Sequence, residues 1–410
     1  MPDIGLPGAL LPLLEPREVW AVGLVIVFAV LRPTGRPGWG VATSLIAGAV
    51  VVMAALVVPE LEPGSLWQLI PWLVLAGLLV ATVAGQPLRW EPRTGPSAAT
   101  ALLFGALVIH VGLAWHAGGV SLVEAGREWG SGDLQASSLP QDAAGPLLLP
   151  AIWVLQLVPG LSARAVAATV GLLAAAAIVA GAGTLARKWG YTGTARATAA
   201  SVAWAPPILL AHGLSPGGLI SGAALVWSWW ALGEVWSGRH RPDRMALLSG
   251  ALLGVAVGIS VWPLIVLPLW LGRYRGRRAG WFVVGIGAAL LATVAALLPT
   301  AIAIGDVWQV AAGDALSSES LPGATAVVVV IAAIAAGVLT IPLSPTRSSA
   351  LSAAVLTLAM PWWPEAWAVT GPVAAIPFVL LAAVAPDQPG ERWPPDAPVE
   401  DLVHAPEARP

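Results

Sequence analysis

Between Arg244 and Arg273 the chain reads RMALLSGALLGVAVGISVWPLIVLPLWLGR, 28 uncharged residues held between two basic ends. One membrane crossing takes about 20 residues as a helix, so 28 are too few for two full crossings. A single crossing would put Arg244 on one side and Arg273, Arg275, Arg277 and Arg278 on the other. Short basic loops stay on the cytoplasmic side during insertion, so both ends belong together. The expectation is a broken hairpin over 245–272 with its apex near Ser260–Pro263. Pro263 disfavours helix at Trp262, which places the break. Irregular backbone at that depth is tolerated only where protein buries it or a cavity adjoins it.

The same charge logic extends along the chain. Six short hinges, at Arg32–Arg36, Arg89–Arg93, Arg187–Arg196, Arg239–Arg244, Arg273–Arg278 and around Arg347, hold 15 of the 20 Lys and Arg residues. The loops alternating with them are acidic or neutral: Glu60 and Glu62, then Glu124 to Asp142, then Asp306 to Glu319, then Glu365. Charged residues make up 10% of the chain and the mean hydropathy is +0.81. A soluble protein carries about 25% charged residues, so this is an integral membrane protein. Its apolar runs are continuous rather than alternating, which selects helices over a barrel. Absence of Cys excludes disulfides, thiolate chemistry and Cys-ligated metals. With no basic segment before the first apolar run, no cleaved signal peptide is expected.

The fold class is therefore all-α, a polytopic bundle of about 11–13 membrane segments with two extracytoplasmic loops. Expected spans are Glu18–Leu31, Gly38–Val58, Leu66–Val83, Ala98–Trp115, Ala163–Ala186, Ala197–His212, Gly217–Trp236, the hairpin, Gly280–Leu298, Ala324–Ile341 and Ala366–Ala385. The shorter runs Pro146–Leu157 and Ser349–Ala359 do not cross. Residues 1–385 form one membrane domain, with 1–97 as a three-helix extension before a bundle over 98–385. Residues 386–410 hold six acids and many prolines and read as a disordered cytoplasmic tail. The N-terminus is expected outside a bacterial plasma membrane and the C-terminus inside.

Ionisable groups at membrane depth usually mark function, because each is costly to insert. This chain has almost none, which argues against a proton- or sodium-coupled transporter. His110, about six residues inside its span, reads either as a hydrogen-bonded structural histidine or as the floor of an outer cavity. The first outer loop carries Glu124, Arg127 and Glu128 at i, i+3 and i+4 spacing, one face of a short amphipathic helix. Neighbouring carboxylates raise one another's pKa and suit a base or a divalent-metal site; a solvated helix face is the plain alternative. Asp133 follows a Gly-Ser-Gly turn. A lipid phosphate leaving in a transfer reaction needs a cation or metal beside it. The outer candidates are Arg127, Arg164, His116 and His212. No cofactor is required by any motif, and a divalent metal stays open.

The stretch Gly250–Leu290 resembles an element of polyprenol-phosphate-dependent membrane glycosyltransferases of the C superfamily, in particular their actinobacterial mannosyltransferase-like branch. There a broken helical pair with small residues and a proline pair precedes a basic turn and a further span. Gly250, Gly254, Ala256, Trp262, Pro263, Leu264, Leu267, Pro268 and the Arg273–Arg278 turn fit that pattern. The segments Trp204–Gly218 and Glu124–Leu134 resemble the family's proline-containing span and first outer loop. The likeness covers about Gly118–Thr300. Ser260 and Val261 stand where the family carries a lysine, and Ser121 near the place of its aspartate. The resemblance implies sugar transfer from a polyprenyl-phosphate donor to a lipid or glycan acceptor on the outer face. Glu124 or Asp133 would be the general base; Arg127 or Arg164, with His116, His212 and Trp262, would bind substrate. Membrane lipids are the surroundings, and no nucleic acid is expected as a partner. A non-catalytic relative that binds lipid-linked glycans or scaffolds envelope synthesis is the second reading, and a lipid or glycan transporter the third.

Overall fold

The computed structural model describes residues 22–23, 25–27, 30–33, 90–92, 95–117, 120–140, 145–188, 192–237, 241–260, 262–274, 276–300, 302–312, 345–359 and 373–381. The expected spans Gly38–Val58, Leu66–Val83 and Ala324–Ile341 lie outside these residues. So do the loop acids Glu60, Glu62, Asp314, Glu319 and Glu365, and the tail 386–410.

The described chain is a helical bundle. Its elements are β1 (Leu31–Pro33), β2 (Trp90–Pro92), α1 (Pro96–Ala117), α2 (Ser121–Ser131), α3 (Leu149–Gln156) and α4 (Ala163–Lys188). There follow α5 (Thr192–Trp204), α6 (Pro206–Leu214), α7 (Pro216–Ser237), α8 (Pro242–Ile259), α9 (Leu267–Leu271), α10 (Arg277–Leu297), α11 (Ile304–Ala312) and α12 (Pro345–Ala359). Among the described residues four helices are long and apolar enough to cross a membrane: Pro96–His116, Ala163–Arg187, Pro242–Ile259 and Arg277–Leu297. The two strands are three residues each and pair antiparallel with Arg32 opposite Glu91. That pairing joins the first two basic hinges at one end of the molecule, as the charge pattern requires.

The hairpin is broken where Pro263 predicts. α8 stops at Ile259, Ser260 is extended (φ −143°, ψ 121°), and a 3-10 turn at Trp262–Val266 leads into α9. This return is short, so α8 and α10 leave the basic end in the same direction and pack side by side. Gly250, Gly254 and Gly258 lie one turn apart along α8 and meet α10 at Phe282, at Ile286 and Ala289, and at Thr293. Small residues of this spacing let membrane helices approach until backbone touches backbone, and dispersion then replaces the missing hydrophobic drive. A Cβ on Gly250 would fall 1.9 Å from the Phe282 carbonyl oxygen, and one on Gly285 would fall 2.2 Å from that of Leu247.

α7 is the central helix, buried on nearly all sides. Reciprocal bonds join Ser228 to Ser249 of α8: each hydroxyl donates to the other's carbonyl, at 2.7 and 3.0 Å. Trp229 packs against Trp270 and Phe378. α4 runs parallel to α7, and Trp227 Nε1 donates to the Ala177 carbonyl at 2.9 Å. At the basic end Arg277 pairs with Asp243 at 3.4 Å. Arg273 is partly buried there and donates to the Ser348 hydroxyl. Burial lowers its pKa to about 10, so it stays charged at neutral pH.

One expected span is divided. The apolar run over residues 197–212 predicts a single helix, but the chain breaks at Ala205 (φ −62°, ψ 124°) between α5 and α6. Pro206 and Pro207 have no N–H, so the carbonyls of Val202 and Ala203 lose their i+4 donors. The Ala205 N–H takes Val202 in a tighter turn at 3.1 Å. Ala203 needs a donor from another helix.

Candidate functional site

His110 of α1 supplies that donor. Its Nε2 lies 2.9 Å from the Ala203 carbonyl and its Nδ1 2.7 Å from Nε2 of His212 on α6. Since a carbonyl only accepts, His110 carries its proton on Nε2. A neutral ring then accepts at Nδ1, and His212 donates from Nε2. His212 Nδ1 is left buried, without a hydrogen-bond partner, against the open face of Gly171. His212 is 1% exposed and so lies inside the bundle rather than among the outer cations. A ligand on the protein surface would not meet its ring without the surrounding helices opening. His110 is the hydrogen-bonded structural histidine, and it also forms the end wall of a cavity described below.

His110→Ala removes the donor to Ala203 and the acceptor for His212 together. The expected cost is about 2 kcal/mol, read as a lower unfolding temperature in detergent. The double variant His110→Ala/His212→Ala should cost less than the sum of the singles, because the two rings share one bond. Strictly additive losses would mean that the pair is not coupled.

The end of the bundle away from the basic hinges is capped by the first long loop. α2 forms because Leu122, Val123, Ala125 and Gly126 share one buried face while Glu124 and Arg127 stay exposed. Gly132 ends it in the left-handed conformation (φ 80°), its N–H returning to the carbonyl of Trp129 at 3.2 Å. The helix is fixed from three directions. Trp129 Nε1 donates to the Ala296 carbonyl of α10 at 2.7 Å, and the ring meets Trp153 edge-on with centroids 5.8 Å apart. Gln156 of α3 donates to the Val123 carbonyl at 2.7 Å. Gly145, just before the Pro146–Leu148 turn, donates to the Ile259 carbonyl at 3.0 Å and thereby ties the loop to the hairpin apex. α3 is eight residues long and the chain turns back before α4, so Pro146–Leu157 does not cross.

The predicted outer residues separate on this scaffold. Glu124, Arg127, Asp133, Arg164 and His116 are all exposed, and none has a side-chain hydrogen bond or ion pair among the described residues. Glu124 and Arg127 share one helix; Asp133 stands just past its end, its N–H on the Glu128 carbonyl at 3.0 Å. Trp262 starts the 3-10 turn after the hairpin apex. Asp306, in the segment expected as the second outer loop, is occupied locally, accepting from the Ala303 N–H at 2.9 Å as a cap of α11. Among the described residues no three His, Asp or Glu side chains converge as a metal site.

Glu128 differs from its neighbours on α2. It is partly buried, and its Oε2 has neither solvent contact nor a hydrogen-bond partner. A buried carboxylate oxygen without a donor is costly, which sets Glu128 apart from the exposed loop carboxylates Glu124 and Asp133. Ser260, at the hairpin apex, likewise has a buried hydroxyl without a partner. The cue for Glu128 was present: it directly precedes the anchoring Trp129 and lies one turn beyond the buried Ala125.

Comparison of the chain with family models, with curated proteins and with solved structures gives no match.

Proposed function

We propose that the protein is a membrane glycosyltransferase-like enzyme of a bacterial plasma membrane. It transfers a sugar from a polyprenyl-phosphate donor to a lipid or glycan acceptor at the end of the bundle opposite the basic hinges. That end faces outward, the N-terminus lies outside and the C-terminus inside, because short basic loops remain cytoplasmic. The reading rests on one observation above the others: α2 is pinned across the hairpin side of the bundle and holds Glu128 with an acceptor oxygen unfilled. In the transfer, the acceptor hydroxyl gives its proton to a carboxylate as its oxygen bonds to the anomeric carbon. The carbon–oxygen bond to the donor phosphate breaks, and polyprenyl phosphate leaves with the electron pair. Glu128 is the carboxylate favoured for the proton, ahead of the solvated Glu124 and Asp133. Arg127, one residue away, or Arg164 meets the phosphate charge.

The second reading, a non-catalytic binder of lipid-linked glycans, is favoured by the solvated positions of Glu124 and Asp133. The two separate on incubating purified full-length protein with a panel of polyprenyl-phosphate sugars and an acceptor lipid, then measuring released polyprenyl phosphate by mass spectrometry. Binding with release is the expected result. Binding without release selects the non-catalytic reading, and no binding to any donor overturns both.

A further inference from the structure

A cavity of about 430 Å³ opens between α1, α4 and α5, away from the capped end. Its volume lies in the usual range of about 300–1,000 Å³ for ligand sites. Leu103 and Leu107 line it from one side and Ala176 and Val179 from another; Arg187 and Arg196 stand at its mouth. Along α4 the lining runs from Leu172 to Arg187, about 22 Å at ~1.5 Å per residue. One leaflet of hydrocarbon is about 15 Å deep, half of ~30 Å, so the trough accommodates a whole lipid tail.

The polar groups inside the trough are already used. Thr184 donates to the Ala180 carbonyl at 2.7 Å, and both ring nitrogens of His110 are taken by His212 and Ala203. The interior therefore asks for hydrocarbon. The mouth asks for an anion: Arg187 and Arg196 are exposed, and neither has a carboxylate or hydrogen-bond partner among the described residues. Two arginines beside one opening suit a phosphate, which accepts their paired N–H groups. Side chains of this kind at the basic end face the leaflet that is rich in anionic lipids.

We infer that this trough seats one anionic phospholipid, its phosphate on Arg187 and Arg196 and one acyl chain running toward His110. Other parts of the chain match it less well. The apolar runs Gly38–Val58 and Leu66–Val83 contain no Asp or Glu to meet the two arginines. The acidic segment Pro386–Pro410 has no apolar run to fill the trough. The inference does not depend on the transfer reaction at the other end.

The test is native mass spectrometry of the full-length protein in detergent, with phosphatidylglycerol or phosphatidylcholine of identical chains added. One phosphatidylglycerol per protein should remain bound at collision energies that strip phosphatidylcholine. Arg187→Gln/Arg196→Gln should lower that retention about thirtyfold, the loss expected of two interfacial cations. Arg187→Lys/Arg196→Lys should keep most of it. Ala176→Trp, which fills the trough, should lower retention with both arginines intact. Unfolding temperatures close to wild type show that each variant is folded. Equal retention of the two lipids, undiminished retention in the Gln pair, or undiminished retention in Ala176→Trp would each overturn the inference.

Discussion

Gly250→Ala is expected to destabilise the protein by about 3 kcal/mol, and Gly250→Val to abolish the folded, monodisperse species. The methyl of an alanine would sit 1.9 Å from the Phe282 carbonyl oxygen. Backbone, unlike a flexible side chain, cannot swing aside, so α8 and α10 would have to separate along their length. Separation costs the dispersion contacts of the whole interface, which in lipid is the main attraction between helices. Gly285→Ala should behave alike, since its methyl would meet the Leu247 carbonyl oxygen at 2.2 Å. Gly287→Ala, where nothing lies within 4 Å, is the internal control and should be neutral or slightly stabilising. The double variant Gly250→Ala/Gly285→Ala should fall short of additivity, because helices already forced apart gain room for the second methyl. Detergent melting curves with size-exclusion profiles read all of these. A wild-type melting temperature for Gly250→Ala would mean that the two helices do not touch there.

That interface shows how far the sequence could be read. Two basic ends, 28 residues and Pro263 were enough to predict a broken hairpin, because charge sidedness and helix length are local, additive rules. The spacing of Gly250 and Gly254 was visible as well. Gly285 as the partner was not, since which helix a glycine face meets is set by tertiary packing rather than by anything along the chain. The His110–His212 bond, between residues 102 apart, is of the same kind. Its cause was nonetheless legible: two consecutive prolines must orphan two carbonyls, and a histidine on a nearby span is a natural donor. On α2 the amphipathic pattern was readable and the phase was not resolved finely enough. Glu124 and Glu128 sit about 40° apart on a helical wheel, and that difference separates a solvated carboxylate from one with a buried oxygen.

If the chain is the transferase proposed above, Glu128→Gln should lower sugar transfer by about 10²–10⁴-fold, the usual contribution of a positioned general base. Glutamine keeps the shape of the side chain but cannot take the acceptor's proton. Its unfolding temperature should be unchanged or higher, because the substitution removes a carboxyl whose Oε2 is buried without a donor. Loss of rate with no loss of fold is what distinguishes a base from a structural carboxylate. Glu124→Gln and Asp133→Asn, both exposed side chains without partners among the described residues, should alter the rate only a few-fold. Arg127→Gln should raise the KM for the donor more than it lowers kcat if its role is to bind phosphate in the ground state. Should Glu124→Gln or Asp133→Asn prove the severe variant instead, the base lies on the solvent side of α2 and the helix must rotate or be covered when substrate binds. Full rates in all three carboxylate variants would take the helix out of the chemistry altogether. The loop would then be a lid fixed by Trp129 and Gly145, and the proton acceptor would have to be sought elsewhere on the capped end.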